Sequence, residues 1–237
     1  MTTEKYNVTS FDTNPRSTMR FSSLLKFMQQ SARIDCDNKG ATYNAMRETG
    51  IVFVLVRSSV KLFRPVRCGE EITVTTWQHF IRGLSFFRDY EFSIDGQLIG
   101  GASTQWVLIN YKTRKLCRPS ALKWDIENVQ RESCVSCNVL APDKAAFKRT
   151  VKGSVLYSML DENAHLNNTV YIDIMGDYAQ KQCDICEADL HYVNEMRLGE
   201  LFDLEYDDNE DGYSARMINS EGSTAFTARI GYFGDQQ

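Results

Sequence analysis

The chain repeats itself. Phe11-Asp12-Thr13-Asn14-Pro15-Arg16 and Leu160-Asp161-Glu162-Asn163-Ala164-His165 carry Asp, Asn and a basic residue at the same spacing, 149 residues apart. Each copy runs into a helical pattern: Phe21, Leu24, Leu25 and Met28 in the first, Tyr171, Ile174, Met175 and Tyr178 in the second. Apolar residues at i, i+3, i+4 and i+7 share one helix face, which then needs a surface to pack on. Asn167, Asn168 and Thr169 offer capping side chains where the second helix is expected to begin.

The period then changes from helical to alternating. Arg67-Cys68-Gly69-Glu70 precedes a strand at Ile72–Trp77, and Arg197-Leu198-Gly199-Glu200 precedes one at Leu201–Tyr206. Asp95-Gly96 separates Phe86–Ile94 from Gln97–Ile109, and Glu221-Gly222 separates Tyr213–Asn219 from Ser223–Phe233, as turn dipeptides between β-rich runs do. Four correspondences in one order imply a tandem duplication. Each half is expected to be α+β, one long helix followed by about four antiparallel strands, with the two sheets paired edge to edge so that neither edge is left open. The divisions are a first repeat over 1–120, a connection over 121–150 and a second repeat over 151–237. The connection is poor in strand signals, and 118–150 holds two of the four prolines.

Composition narrows the function. The longest apolar run, Ile51 to Val56, is too short to span a membrane, and MTTEKYNVTS lacks the apolar core of a secretion signal, so a cytoplasmic protein is expected. The net charge of −4 divides unevenly: 17 Lys+Arg against 10 Asp+Glu over 1–120, and 10 against 21 over 121–237. Polarised surfaces follow, with a charged partner for one of them as one reading. No nucleic acid is expected as that partner, and a homodimer is left open. Seven cysteines, an odd number, are expected as free thiols. Cys134-Val-Ser-Cys137 and Cys183-Asp-Ile-Cys186 have metal-ligand spacing, but 45 residues lie between the pairs and no knuckle glycines flank them. The second pair is read as the end of a helix, where i, i+3 spacing arises without a ligand. No metal and no cofactor are expected.

The richest segment is Asp161-Glu162-Asn163-Ala164-His165-Leu166-Asn167-Asn168-Thr169-Val170-Tyr171. It places one of the three histidines among polar side chains just before a helix start, whose free N–H groups can hold a developing oxyanion. Asp, Asn and His supply a base, an orienting amide and a proton carrier, although an ordinary capping turn would use the same residue types. The string resembles the D-x-N-x-H-x-N-N-x-x-Y motif of the acyl-acyl carrier protein thioesterases, a double hotdog family. The resemblance extends through Leu25–Ala32, Ser103-Thr104-Gln105-Trp106-Val107 and Lys112-Thr113-Arg114-Lys115-Leu116.

The resemblance implies a thioester hydrolase that releases free fatty acid, with catalytic roles for Asp161, Asn163 and His165. In Leu190-His191-Tyr192-Val193-Asn194-Glu195-Met196, Glu195 takes the place of the family's strand carboxylate. Plant members carry a Cys beside it. Met196 stands there instead, which implies attack by water, with Glu195 or Asp161 as the base and helix-start N–H groups on the oxyanion. The absence of a plastid transit segment suggests a bacterial form. His79 and His191 are read as structural or surface residues. The first repeat has Arg16 opposite His165, and an always-charged guanidinium cannot act as a base, so that copy is expected to be inactive and to supply the acyl pocket through the Phe21–Met28 helix. Acyl carrier proteins are acidic. Lys112, Arg114, Lys115 and Arg118, clustered just after the Trp106 strand, are therefore candidates for carrier docking, and Arg64 and Arg67 lie before another strand of the same half. An acyl-CoA thioesterase, a hotdog dehydratase and a non-catalytic acyl-binding hotdog protein are the alternatives.

Overall fold

The computed structural model describes residues 1–137, 147–179, 183–208 and 212–234. The first half runs β1 (Thr2–Asn7), α1 (Phe21–Asp37), α2 (Tyr43–Thr49), β2 (Ile51–Leu62), β3 (Glu71–Arg82), β4 (Ser85–Ile94), β5 (Gln97–Asn110) and β6 (Leu116–Cys117). The second runs β7 (Arg149–Ser154), α3 (Val170–Tyr178), β8 (Ile185–Tyr192), β9 (Leu201–Asp208), β10 (Gly212–Asn219) and β11 (Thr224–Tyr232). Among the described residues these strands form one antiparallel sheet in the order β1-β3-β4-β5-β2-β8-β11-β10-β9-β7, with β6 added to β5. The edge-to-edge junction is β2 on β8, with Arg57 opposite His191, Ser59 opposite Asp189 and Lys61 opposite Glu187.

Local chemistry explains the elements. Asp95 and Gly96 both have positive φ, 50° and 77°, the type I′ geometry whose twist matches a two-residue hairpin joining β4 to β5. Burial in β10 alternates residue by residue, as expected of a sheet with one face on the core. The apolar face of α1 (Phe21, Leu24, Leu25, Met28) and that of α3 (Tyr171, Ile174, Met175) enter a single core with residues of both half-sheets, and the helices touch each other. No helix among the described residues is long and apolar enough to cross a membrane.

A charged cluster is buried where α1 meets β4. Asp35, 1% exposed, accepts from Arg88 Nη2 at 2.8 Å, Lys39 Nζ at 2.7 Å and Thr2 Oγ1 at 2.9 Å. Burial alone would push its carboxyl up, but the Arg88 charge and these hydrogen bonds overcome that and hold it far below the usual carboxylate range.

Two expectations need correction. Cys183 and Cys186 do not end a helix: α3 stops at Tyr178, and Cys186 lies in β8 with Cys183 in the approach to it. The repeat is also out of step by two residues in its polar loop. Asn14 N bonds Thr18 O as Asp161 N bonds His165 O, and Ser17 and Ala164 are the residues with φ of 60° in the two loops. Asn14 Oδ1 takes the N–H groups of Arg16 and Thr18, as Asp161 Oδ1 takes those of Asn163 and His165. The counterparts of Asp161, Asn163 and His165 are therefore Asn14, Arg16 and Thr18, not Asp12, Asn14 and Arg16.

Candidate active site

Asp161 builds the loop. Its Oδ1 accepts from the backbone N–H of Asn163 at 2.8 Å and of His165 at 3.2 Å, and its Oδ2 faces Asn163 Nδ2 at 3.4 Å. These bonds close a tight turn with Ala164 left-handed, and His165 emerges bridged to Arg197. Leu166 N then bonds Met196 O at 2.8 Å. That bond draws the segment after β8 alongside the loop, and the wholly buried Met196 side chain anchors it in the core. Glu195 thereby comes to face His165, with Nε2 and Oε2 3.3 Å apart.

The first half completes the site. Asn110 Oδ1 accepts from Lys112 N and Thr113 N, winding the turn after β5 so that Arg114, at φ 60°, extends to Glu195 and pairs with Oε1. Tyr43 Oη donates to Asn163 Oδ1 at 2.8 Å, and Arg33 pairs with Glu162 at 2.7 Å. Lys112, Lys115 and Arg118 are exposed around the same hairpin. Of the four residues marked for docking, Arg114 alone reaches the Asp161–Glu195 site. Tyr43 and Arg33 carried no motif. Their only signal was a place on helices facing the second half.

These groups stand at one side of a cavity of about 610 Å³. Pairing of β2 with β8 covers only Arg57 to Lys61, and the unpaired stretch Val52–Leu55 lines the cavity, as do Val193–Glu195. Trp106 of β5, Phe86 and Arg88 of β4 and Gln78 of β3 line the same cavity. The helical wall differs from the expectation. Phe21, Leu24, Leu25 and Met28 are core, whereas Lys26, Gln29, Ala32, Arg33 and Cys36 of the same helix line the cavity.

Tyr171 lines the cavity as well. Burial first, then the charges of Glu200, Glu195 and Asp161, push its phenol far up, so it stays protonated. The helix start is already engaged: Thr169 N bonds Asn167 Oδ1 and Val170 N bonds Asn167 O, each at 2.9 Å, and the Thr169 side chain caps nothing. The N–H groups of Thr169 and Val170 are thus spent within the turn. His79 lies elsewhere, 2.9 Å from Asp89, and His191 faces Arg57 in the β2–β8 junction. Among the described residues no group of His, Cys, Asp or Glu is arranged to hold a metal.

The corresponding loop of the first half is closed. Asn14 Nδ2 and Thr18 Oγ1 both donate to Asp184 Oδ1, at 3.0 and 2.5 Å, and Arg16 lies 3.7 Å from Asp184 Oδ2. Pro65 occupies the place of Glu195, because Val66 O takes Met19 N as Met196 O takes Leu166 N.

Two helix-and-sheet units joined through one continuous sheet, with a His-carboxylate pair in the wall of a cavity of mixed polar and apolar lining, define a double hotdog protein of the thioesterase class. The chain matches the Acyl-ACP thioesterase N-terminal domain over residues 1–121 and the Acyl-ACP thioesterase C-terminal domain over residues 143–233. It belongs to the acyl-ACP thioesterase family. It is 23% identical over 256 residues to oleoyl-acyl carrier protein thioesterase 2, chloroplastic, of Arabidopsis thaliana, covering 95% of this chain and 68% of that protein. With the palmitoyl-acyl carrier protein thioesterase, chloroplastic, of Gossypium hirsutum it shares 24% over 184 residues, covering 71% of this chain but only 45% of that one. The fold matches that of an acyl-ACP thioesterase from Bacteroides thetaiotaomicron, with a TM-score of 0.85 at 18% identity, covering 98% of this chain and 97% of that one. It also matches the 12:0-ACP thioesterase of Umbellularia californica, with a TM-score of 0.81 at 17% identity, covering 98% and 96%.

Proposed function

We propose that this chain hydrolyses the thioester of an acyl-acyl carrier protein, releasing the free fatty acid and the carrier thiol. The observation that carries the reading is the His165–Glu195 pair lining a cavity of a size that suits a small molecule, with Val52–Leu55, Phe86 and Trp106 as its apolar wall.

Glu195 is the base. Asp161 has its carboxylate engaged by the loop it folds, whereas Glu195 Oε2 faces His165 and the cavity. Glu195 takes a proton from water as the water oxygen bonds to the carbonyl carbon. The carbonyl electrons move to oxygen, where Asn163 Nδ2 and His165 stabilise them. Collapse re-forms the carbonyl and breaks the C–S bond. The proton held at Glu195 passes, by way of His165, to the departing thiolate.

In this reading the first repeat, residues 1–120, shapes the acyl pocket, residues 121–150 connect, and residues 151–237 carry the chemistry. Lys112, Lys115 and Arg118, exposed close in sequence to Arg114, receive the acidic carrier. The test is hydrolysis of acyl-ACP and acyl-CoA thioesters of matched chain length by the purified chain. Faster turnover of the carrier thioester is expected, and hydrolysis of neither would overturn the assignment.

A further inference from the structure

A residue supplied by the first half decides which way the amide of Asn163 points. Tyr43 Oη accepts from Arg47 Nη1 at 2.9 Å. A guanidinium carries donors only, so it cannot take the phenolic proton. That single proton is therefore directed to the other neighbour, Asn163 Oδ1, at 2.8 Å. With its oxygen held in this way, the carboxamide must present Nδ2, and hence two N–H donors, on its other side. There, among the described residues, Asn163 Nδ2 meets Asp161 Oδ2 at 3.4 Å, too far for a strong bond, and Asn163 lines the cavity.

The relay is built to stay put. Arg47 Nη2 donates to Tyr111 Oη at 2.7 Å, and the guanidinium lies over the rings of Tyr43 and Tyr111, 5.3 and 4.6 Å from their centroids. Arg33 covers the Tyr43 ring too, at 5.5 Å. The short helix α2 that carries Tyr43 and Arg47 is fixed at both ends: Thr42 Oγ1 accepts from Ala45 N, and Gly50, at φ 74°, accepts from Tyr111 N through its carbonyl. Met46 pins it to the core between those ends.

We infer that Tyr43, oriented by Arg47, is a positioning residue that locks Asn163 as a hydrogen-bond donor toward the thioester carbonyl. The inference rests on the hydrolytic reading above. It makes one half of the chain responsible for the donor geometry of the other.

Tyr43→Phe keeps the ring under both guanidinium groups and removes only the hydroxyl. Steady-state hydrolysis of an acyl carrier protein thioester should show kcat lowered about 10-fold, the lower end of what a residue behind the reacting groups contributes, with KM and thermal midpoint unchanged. In an Asn163→Ala background the same substitution should cost nothing further, since both act through one amide. A neutral Tyr43→Phe beside an impaired Asn163→Ala would overturn the relay and leave the hydrolytic reading standing. So would losses that simply multiply, or a change confined to KM. Full activity in Asn163→Ala would remove both the relay and the role given to Asn163.

Discussion

His165 Nε2 and Glu195 Oε2 lie 3.3 Å apart, and Arg114 of the first half holds the other Glu195 oxygen. The carboxylate is thus fixed on both oxygens, Oε1 by the guanidinium and Oε2 by the imidazole. His165→Ala and Glu195→Gln should each lower kcat by about 10²-fold or more, the usual contribution of a positioned acid or base. Circular dichroism should show both variants folded. Met196 is fully buried, so Met196→Ala would lose about 2–5 kcal/mol of stability through the cavity it leaves. Met196→Leu instead tests the position for chemistry, and its turnover should match that of the parent.

Carrier docking should separate from catalysis. Lys112→Glu, Lys115→Glu and Arg118→Glu together should raise KM for acyl-ACP while a carrier-free acyl ester is hydrolysed unchanged. Added salt should mimic the triple variant, because exposed charges are screened over about 3 Å at 1 M. Arg114 is excluded from the set, since its loss would disturb Glu195 directly. Equal effects on both substrates would move the docking surface elsewhere.

Chain length should respond to the cavity wall. Val54 of β2 is partly exposed to the cavity, and Val54→Phe fills part of it. Turnover across a series of acyl chains should shift toward shorter ones, with the shortest thioesters least affected. An unshifted profile would place the acyl chain outside this cavity.

The Asp35 cluster should govern acid stability. Its native carboxyl is depressed, so its stabilisation is present above the unfolded value near 4 and is lost as pH falls toward the lowered native one. Asp35→Asn leaves Arg88 buried without its counter-charge, and should cost about 3 kcal/mol at neutral pH. Denaturant unfolding from pH 7 to 3 should show the gap between parent and variant narrowing below about pH 4.

The elements were legible because their periods were strong. The strands before and after Asp95-Gly96 and Glu221-Gly222 appear within a residue or two of where alternation ends. The repeat register was harder, because Asn14 and Asp161 do the same work with different side chains: either oxygen can gather the N–H groups of the turn. Asn167 and Asn168 then take up the slack before α3, so the helices line up although the loops do not. Tyr43 and Arg47 were illegible as site residues for another reason, and Arg114 was marked for docking but not for its pairing with Glu195. No motif marks Tyr43 or Arg47, and the contacts that give all three their place come from the packing of one half against the other.

That pairing has a consequence for self-recognition. Between two copies of one chain, a strand must complement itself across the two-fold axis. Here β2 offers Arg57, Ser59 and Lys61, and β8 answers with His191, Asp189 and Glu187, including a Lys61–Glu187 contact of 3.1 Å and a Ser59–Asp189 bond of 2.5 Å. One pair of opposite sign, Lys61 with Glu187, and one bond from a hydroxyl to a carboxylate, Ser59 to Asp189, thus hold the junction, while the Arg57 charge beside His191 disfavours a charged imidazole. Either strand set against its own copy would bring like charges together. Within one chain the two faces need not be alike, and here they are not.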